Sequence, residues 1–333
     1  MTLKWVAIAA ISCLTGYHVT PLIAKKMRTI NHVRPDVHKP GRPLVPYSGG
    51  VALFIAMLSA SSLVMLLEPM LLPRVFTVVA TFTTAFMIGI VDDFKVLRAR
   101  VKTALTVFTL APVFIAHFIW PDQIVFGRPL VPFLGKLRIT VIYWLLLPLA
   151  VAGPANVINM LDVFNGVMPA TTFSAAVALT VGACLKGGWD SALLLAPLVG
   201  ALIGYLPYNR WPARILNGDS GSLLIGAYIG VAAVILNLEF VALIALLPHI
   251  INGILVIGSV GGLKEHREMR GRPVEVLSDY RLAPSTDQNA PLSLTRLILA
   301  IDGSMPEQEI VKRLVLLGMI SSSLAVISVF FIP

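Results

Sequence analysis

The sequence is poor in charged residues. Only 13% of its 333 residues are charged and 57% are hydrophobic, whereas soluble globular proteins carry about 25% charged residues. Mean hydropathy is +0.85, and no polar stretch is long enough to build a hydrophobic core of its own. These absences exclude an ordinary soluble domain. They predict an all-α polytopic membrane protein, with one integral membrane domain over residues 1–333.

Cysteine is also scarce. Cys13 and Cys184 both lie in apolar runs, so the sequence offers neither a disulfide framework nor the spacing of a zinc site. It shows no internal repeat and no low-complexity tract. The formal net charge of +9 is accounted for by membrane topology and by anionic headgroups or substrates, and we expect no nucleic-acid partner.

Ten apolar stretches of about 20 residues predict membrane-spanning helices. They lie at roughly 2–23, 47–68, 71–91, 103–120, 140–158, 168–186, 190–208, 219–237, 240–260 and 311–332. The first resembles a secretory signal, but it is long enough to span and we expect it to stay attached. The longest segment that does not span, 261–310, lies between the last two spans.

The basic residues are distributed unevenly over the two sides of the membrane. Of the 26 Lys and Arg residues, 20 fall in or beside segments that follow odd-numbered spans. The positive-inside rule places those segments in the cytoplasm and both termini outside. Four acids that played no part in this assignment also fall at cytoplasmic span ends: Asp92, Asp93, Asp162 and Asp219. We therefore expect a site on the cytoplasmic face.

Two motifs place acids at span ends. In "GIVDDFKVLRARVK" two adjacent carboxylates end the third span. Each would cost about 2.5–3.5 kcal/mol at mid-membrane and less at the interface, so a divalent cation or a basic partner would offset them. In "NGDSGSLLIGAYIG" glycines and serines flank Asp219 before a helix, where phosphate binds well. The alternatives are a solvated acidic cap and an ordinary helix N-cap.

A third motif, "NVINMLDVFNGV", spaces polar residues by three: Asn156, Asn159, Asp162 and Asn165. On a helix this spacing would give one stripe of amides and a carboxylate. Such oxygens suit Mg²⁺, and the amides could bind a nucleotide. A turn at Asn165-Gly166 is one alternative, and Asn side chains that join neighbouring helices are another.

Two cytoplasmic loops complete the pattern. "GGLKEHREMRGRP" contains His266, Arg267 and Arg270, and Arg side chains bind pyrophosphate bidentately. A topology anchor would explain the Arg residues but not His266. "DVHKPGRPLVPYSGG" predicts a rigid, irregular loop before the second span. Together the motifs indicate metal-dependent phosphate chemistry at the cytoplasmic interface.

In this order, the motifs resemble the polyprenyl-phosphate N-acetylhexosamine-1-phosphate transferase superfamily (glycosyltransferase family 4) over nearly the whole chain. The resemblance implies transfer of a sugar 1-phosphate from a UDP-sugar to a polyprenyl phosphate, with release of UMP and with Mg²⁺ or Mn²⁺ as cofactor. A homodimer is common in that family. Asn159 and Asp219 match its metal-coordinating positions, Asp92 and Asp93 its acidic pair near the lipid phosphate, and Lys102 a phosphate contact.

Further positions match the donor side of the family's site. Asp162 matches another acid of the catalytic cluster, Asn165 a position near uracil, and His266 and Arg267 the loop that meets the pyrophosphate and sugar. With Asn156 and Arg270, these complete the candidate site. One departure is Val96, where the family often has a third acid.

The motifs also suggest a branch of the family. "EHREMRGRP" is similar to the Arg-His-Arg loop of the eukaryotic dolichyl-phosphate GlcNAc-1-phosphotransferase, whereas "GDSGS" is nearer the prokaryotic form. This mixture predicts an archaeal enzyme that starts N-glycan or surface-glycan assembly with GlcNAc-1-phosphate. The alternatives are the phospho-MurNAc-pentapeptide and undecaprenyl-phosphate GlcNAc branches. A secondary transporter, from another class, would show acids at mid-membrane and a repeat between its halves.

Overall fold

The computed structural model describes residues 2–125, 129–137, 140–262 and 271–332. Within these ranges the helices are α1 (Thr2–Thr29), α2 (Gly50–Leu67), α3 (Leu72–Lys95), α4 (Ala99–Val107), α5 (Ala111–Ile119), α6 (Thr140–Leu161), α7 (Val167–Ala192), α8 (Ala196–Asn209), α9 (Gly218–Leu236), α10 (Glu239–Ala245), α11 (Leu247–Val260), α12 (Leu294–Asp302) and α13 (Glu307–Val329). The strands are β1 (Val33–Pro35), β2 (Leu44–Pro46), β3 (Leu130–Val131), β4 (Gly135–Lys136), β5 (Val274–Val276) and β6 (Leu282–Pro284). Consecutive strands pair as three antiparallel hairpins. The predicted all-α membrane class is confirmed.

Most of the predicted spans appear as separate helical segments. Among the described residues, eight segments are long and apolar enough to cross a membrane, and α10 with α11, bent by 69°, would make a ninth. One segment, Val167–Asn209, has 43 residues and would be about 64 Å long if straight, about twice the hydrocarbon core. Gly188 (φ 70°, ψ −174°) interrupts it. The predicted count of ten is reached only if this segment crosses twice.

Helix α9 is the centre of the bundle. Only Asp219 and Leu236 of its residues are not buried, and α2, α3 and α6 all pack against it. Small residues allow this close packing, as is usual for helices in membranes. A Cβ atom at Gly226 would lie 2.4 Å from the Cα atom of Ala155 in α6. Since α9 is enclosed on several sides, the surrounding helices fix the position of its N-terminus.

The hairpin β1–β2 holds the segment that leads into α9. The backbone N–H of Leu216 donates to the carbonyl of Pro46 at 2.8 Å, and that of Gly49 donates to the carbonyl of Leu216 at 2.8 Å. Gly50, the first residue of α2, donates to the carbonyl of Asn217 at 2.9 Å. The predicted rigid loop before the second span therefore packs directly beside Asp219.

The segment between α11 and α13 also packs against this end of the bundle. Its buried side chains, including Leu282, Leu299 and Met305, join those of Leu161 and Phe164 in one hydrophobic cluster. The backbone of Met305 exchanges hydrogen bonds of 2.8 and 3.0 Å with Leu282. The chain just before α13 is thereby fixed against the loop that follows α6.

Candidate active site

A cavity of about 290 Å³ lies where α6 ends and α9 begins. It is lined by residues of the β1–β2 hairpin, the loop after α6 and the segment before α9. Five predicted site residues line it: Lys102, Asn159, Asp162, Asn165 and Asp219. Residues that are up to 117 positions apart in the chain are therefore brought to one wall.

Lys102 joins two of the predicted acids. Its ammonium donates to Asp92 Oδ2 at 3.2 Å and forms an ion pair with Asp219. The amide of Asn159 donates to Asp219 Oδ1 at 3.0 Å and to Ser222 Oγ at 2.8 Å. We call Asp92, Lys102, Asn159 and Asp219 the Lys102 network. It places one positive charge between two carboxylates, and its lysine lies on the cavity wall.

The two acids of the Asp-Asp pair have different surroundings. Asp93 accepts hydrogen bonds from the backbone N–H of Asp219 at 2.7 Å and from Ser220 Oγ at 2.6 Å, so it caps α9. Gly218 has φ +71°, and a Cβ atom there would lie 2.4 Å from Asp93 Oδ2. Neither Asp92 nor Asp93 is among the described residues that line the cavity. Asp92 contacts Lys102, whereas Asp93 positions the start of α9.

The Lys102 network fits a divalent cation. Carboxylate and amide oxygens are the hard ligands that Mg²⁺ prefers, and Asp219 and Asn159 supply both types on the cavity wall. The ammonium of Lys102 shows that the carboxylates of Asp92 and Asp219 are close enough to share a positive charge. These candidate ligands do not include position 96, where the family often has a third acid and this chain has Val96. Val96 follows the last residue of α3 and has φ 43°, and the next N–H, of Leu97, donates to Asp92 Oδ1 at 2.5 Å.

The predicted stripe of four polar residues is not one helical face, because α6 ends at Leu161. Asp162 and Asn165 lie in the loop before α7, where Gly166 adopts φ 84°. For these two residues the alternative prediction, a turn at Asn165-Gly166, is the correct one. Asn156 lies on α6 and donates to Thr106 Oγ1 at 2.8 Å. The cavity lining, within the described ranges, does not include Asn156.

Asp162 is held by one neighbouring amide. The Nδ2 atom of Asn217 donates to both of its carboxylate oxygens, at 2.7 and 2.9 Å. Burial raises the pKa of Asp162 to about 7, although the hydrogen bonds from Asn217 oppose that shift. Asn217 also lines the cavity. It is not among the predicted site residues, and an Asn just before a helix is ordinary because Asn is a common N-cap residue.

A second lysine network lies beside the first. The Lys39 ammonium contacts Asp36 Oδ2 at 2.8 Å and Glu307 Oε2 at 2.7 Å. Asn165 donates through Nδ2 to Asp36 Oδ2 at 2.9 Å and through its backbone N–H to Glu307 Oε1 at 3.2 Å. We call Asp36, Lys39, Asn165 and Glu307 the Lys39 network. All four residues are at least 92% buried.

Of this second network, only Asn165 is among the site residues that the sequence predicts. Lys39 and Asp36 belong to a loop whose composition predicted rigidity and nothing more. Glu307 starts α13 together with Glu309, and acids in a first turn are ordinary because they favour the helix dipole. No local signal separates Glu307 from Glu309. The remaining predicted residues, His266, Arg267 and Arg270, lie outside the described residues.

Comparison with known proteins identifies the family. Residues 75–237 match the family model for glycosyl transferase family 4. A phospho-N-acetylmuramoyl-pentapeptide-transferase of Chlamydia trachomatis serovar L2 is 30% identical over 269 residues, which cover 73% of this chain and 79% of that protein. A putative UDP-N-acetylglucosamine–dolichyl-phosphate N-acetylglucosaminephosphotransferase of Saccharolobus solfataricus is 27% identical over 252 residues, covering 74% and 75%.

The fold and the cavity define an integral membrane enzyme whose charged site lies at one end of a helix bundle. The chain belongs to glycosyl transferase family 4, as its motifs predicted, and is a sugar-phosphate transferase. The two relatives carry different substrate names, so the family alone leaves the donor and the lipid open.

Proposed function

We propose that this chain transfers a sugar 1-phosphate from a UDP-sugar to a polyprenyl phosphate, with Mg²⁺ or Mn²⁺ as cofactor. UMP leaves, and a lipid-linked pyrophosphoryl sugar forms. The observation that carries this proposal is the Lys102 network on the wall of the cavity. Phosphoryl transfer depends on positioning and on neutralisation of phosphate charge, and this network combines an ammonium with ligands for a divalent cation.

In the proposed reaction an oxygen of the lipid phosphate attacks the β-phosphorus of the UDP-sugar. The bond from that phosphorus to the bridging oxygen breaks, and its electron pair leaves with UMP. A bound divalent cation, held by Asp219 and Asn159, would neutralise charge on the diphosphate. Lys102 lies on the same wall and offers its ammonium to a phosphate oxygen. Asp92 acts through Lys102, which it holds by an ion pair.

No general base is needed for this displacement. A phosphate monoester has its second pKa near 6 and is largely dianionic at neutral pH. The geometry agrees, because Asp92 and Asp93 are engaged by Lys102 and by the N-terminus of α9. Their proposed roles are therefore electrostatic and positional, and the displacement needs no covalent intermediate on Asp92 or Asp93.

GlcNAc-1-phosphate is the donor group that we propose first, with a dolichyl-type lipid as acceptor. Support comes from the loop "EHREMRGRP" and from the S. solfataricus relative. Phospho-MurNAc-pentapeptide is the second candidate, supported by the names of the relatives from C. trachomatis and Acetivibrio thermocellus, the latter 26% identical over 249 residues. The undecaprenyl-phosphate GlcNAc branch would use the first donor with a bacterial lipid.

The proposed site faces the cytoplasm of a prokaryotic, archaeal cell. The Lys and Arg distribution supports the cytoplasmic face, with 20 of 26 on the side that holds the acids. The mixture of motif forms supports the archaeal source. A homodimer remains a prediction from the family resemblance.

The mass of the lipid product tests donor and acceptor together. Purified protein in detergent is incubated with Mg²⁺, with UDP-GlcNAc or UDP-MurNAc-pentapeptide, and with dolichyl or undecaprenyl phosphate; EDTA is the control. We expect a metal-dependent product whose mass equals dolichyl pyrophosphoryl-GlcNAc. A MurNAc-pentapeptide product would establish the second candidate. Absence of any lipid-linked sugar with all four pairs, from folded protein, would overturn the proposal.

A further inference from the structure

Glu307 stands one layer behind the cavity wall. Its side chain is 4% exposed, and each carboxylate oxygen accepts a hydrogen bond: Oε2 from Lys39 at 2.7 Å and Oε1 from the backbone N–H of Asn165 at 3.2 Å. In the part of the chain that the structure describes, neither Glu307 nor Lys39 lines the cavity, whereas Asn165 and Asp36 do. Glu307 therefore reaches the cavity only through its partners.

The position of Glu307 is fixed by its own helix. Met305, two residues earlier, is buried and paired with Leu282 through its backbone. Ile310 and Leu314, one and two turns later, are both 0% exposed in the hydrophobic cluster of this region. A carboxylate in the first turn of a helix is also favoured by the helix dipole. The backbone and side chain of Glu307 are thus held in place by the packing of α13, and Glu307 can position the more flexible groups that contact it.

The groups set by Glu307 are a lysine and a loop. Lys39 has a long flexible side chain, and its ammonium is held by two carboxylates, those of Asp36 and Glu307. Asn165 belongs to the loop between α6 and α7, and Glu307 binds its backbone while Asp36 binds its side chain. Without the negative charge of Glu307, the Lys39 ammonium would move toward Asp36. It would then compete with the side-chain amide of Asn165 for Oδ2 of Asp36.

We propose that Glu307 is a positioning residue for the nucleotide donor. It holds Lys39 and the backbone of Asn165, so that Asp36 and Asn165 keep their places on the cavity wall. The inference rests on the proposed function, since the donor is taken to be a UDP-sugar. It goes beyond that function because it gives the last span, α13, a part in donor affinity.

The variant Glu307→Gln separates the two contacts of this carboxylate. Glutamine has the same size and keeps an oxygen for the N–H of Asn165, but it presents no negative charge to Lys39. Glu309→Gln is the matched control, because Glu309 lies two residues along the same helix, has a side chain that is 46% exposed and pairs with Lys312. We expect Glu307→Gln to raise the KM for the UDP-sugar about tenfold, the factor for one charge-assisted hydrogen bond. The kcat and the KM for the lipid phosphate should change less than about twofold.

Lys39→Met supplies a second variant and a test of coupling. If Glu307 acts through Lys39, the double variant will have the same donor KM as Lys39→Met alone within about twofold. A purely structural role would instead lower the amount of active enzyme, and hence kcat, in both backgrounds. Independent, multiplying effects on KM, or a lowered kcat at unchanged KM, would overturn the proposal.

Calorimetric binding of UMP, without lipid phosphate, separates this inference from the proposed function. Wild-type turnover tests the reaction, whereas the dissociation constant for UMP tests Glu307 even where turnover fails. We expect about tenfold weaker UMP binding in Glu307→Gln and in Lys39→Met, with Glu309→Gln equal to wild type. Equal UMP affinity in Glu307→Gln and wild type would overturn the role assigned to Glu307.

Discussion

Two networks lie beside one cavity, and each consists of one lysine, one asparagine and two acidic residues. In each, a buried lysine lies between two carboxylates: Lys102 between Asp92 and Asp219, and Lys39 between Asp36 and Glu307. They differ in how the lysine faces the cavity. Lys102 lies on the wall, whereas Lys39 lies behind it. A similar arrangement of charges therefore offers an ammonium to the cavity in one network and supports the residues of the cavity wall in the other.

The difference also gives the two networks different consequences for the enzyme. A cation on the wall can neutralise charge that develops during the reaction, so its loss should lower kcat. A cation behind the wall contacts protein groups only, so its loss should change how well the donor fits and raise KM.

The largest loss is expected at Asp219, which takes part in both the ion pair and the proposed metal site. Asp219→Asn keeps the shape but removes the charge, and UMP release should fall by about 10³-fold or more because transition-state charge is no longer balanced. Asp302→Asn, which changes an exposed acid paired with Arg313, is the control. Folding is checked by thermal denaturation in detergent. Activity within tenfold of wild type would contradict the metal assignment.

Lys102→Met should lower kcat by about 10²-fold. It also leaves Asp92 and Asp219 close together without the ammonium, and an uncompensated buried charge destabilises a protein. A divalent cation that binds the folded state would restore part of this loss. We therefore expect added Mg²⁺ to raise the Tm of Lys102→Met more than that of wild type. An equal Mg²⁺ shift in both proteins would argue against a shared cation position.

Substitutions of the two adjacent acids should have different effects: Asp92 should matter more for activity and Asp93 more for stability. Asp93→Asn weakens the cap of α9, and caps contribute about 0.5–2 kcal/mol, so its Tm should fall. Asp92→Asn loosens Lys102 and should lower kcat about tenfold, with the smaller change in Tm. Parallel kinetics and melting curves measure both effects. Identical behaviour of the two variants would remove the distinction drawn between them.

The smallest effect is expected at Asn156. It donates to Thr106 and to the backbone of Ala152 rather than to cavity groups, so Asn156→Ala should change the donor KM less than about threefold. Asn159→Ala, one turn along the same helix, removes the amide beside Asp219 and should reduce activity strongly. A large and specific rise of donor KM in Asn156→Ala would restore the predicted substrate contact.

Much of the first network was readable from the sequence. Asp92, Asp219 and Asn159 stand out because each is a polar residue at the end of an apolar run, where charge is costly. The spans were found for the same reason, since about 20 apolar residues are needed to cross the membrane. The stripe prediction failed beyond Asn159 because three-residue spacing does not show where a helix ends.

The second network could not be predicted, because its residues are ordinary in their local settings. Lys39 and Glu307 are 268 positions apart, and each is typical of its surroundings: a basic residue in a loop between two helices and an acid in a first helical turn. The packing of Met305 and Leu282 with Phe164 holds the start of α13 beside the loop that contains Asn165, and local sequence does not encode this tertiary contact. Asp93 is the opposite case. It is conspicuous in the sequence, yet in the structure it caps α9.

The most direct test compares Lys102→Met with Lys39→Met in one assay of UMP release, using the UDP-sugar that gives a lipid product. We predict that Lys102→Met lowers kcat about 10²-fold at nearly unchanged donor KM, while Lys39→Met raises the donor KM about tenfold at nearly unchanged kcat. If both variants change the same parameter by similar factors, the Lys102 network does not serve the chemical step separately from donor binding by the Lys39 network.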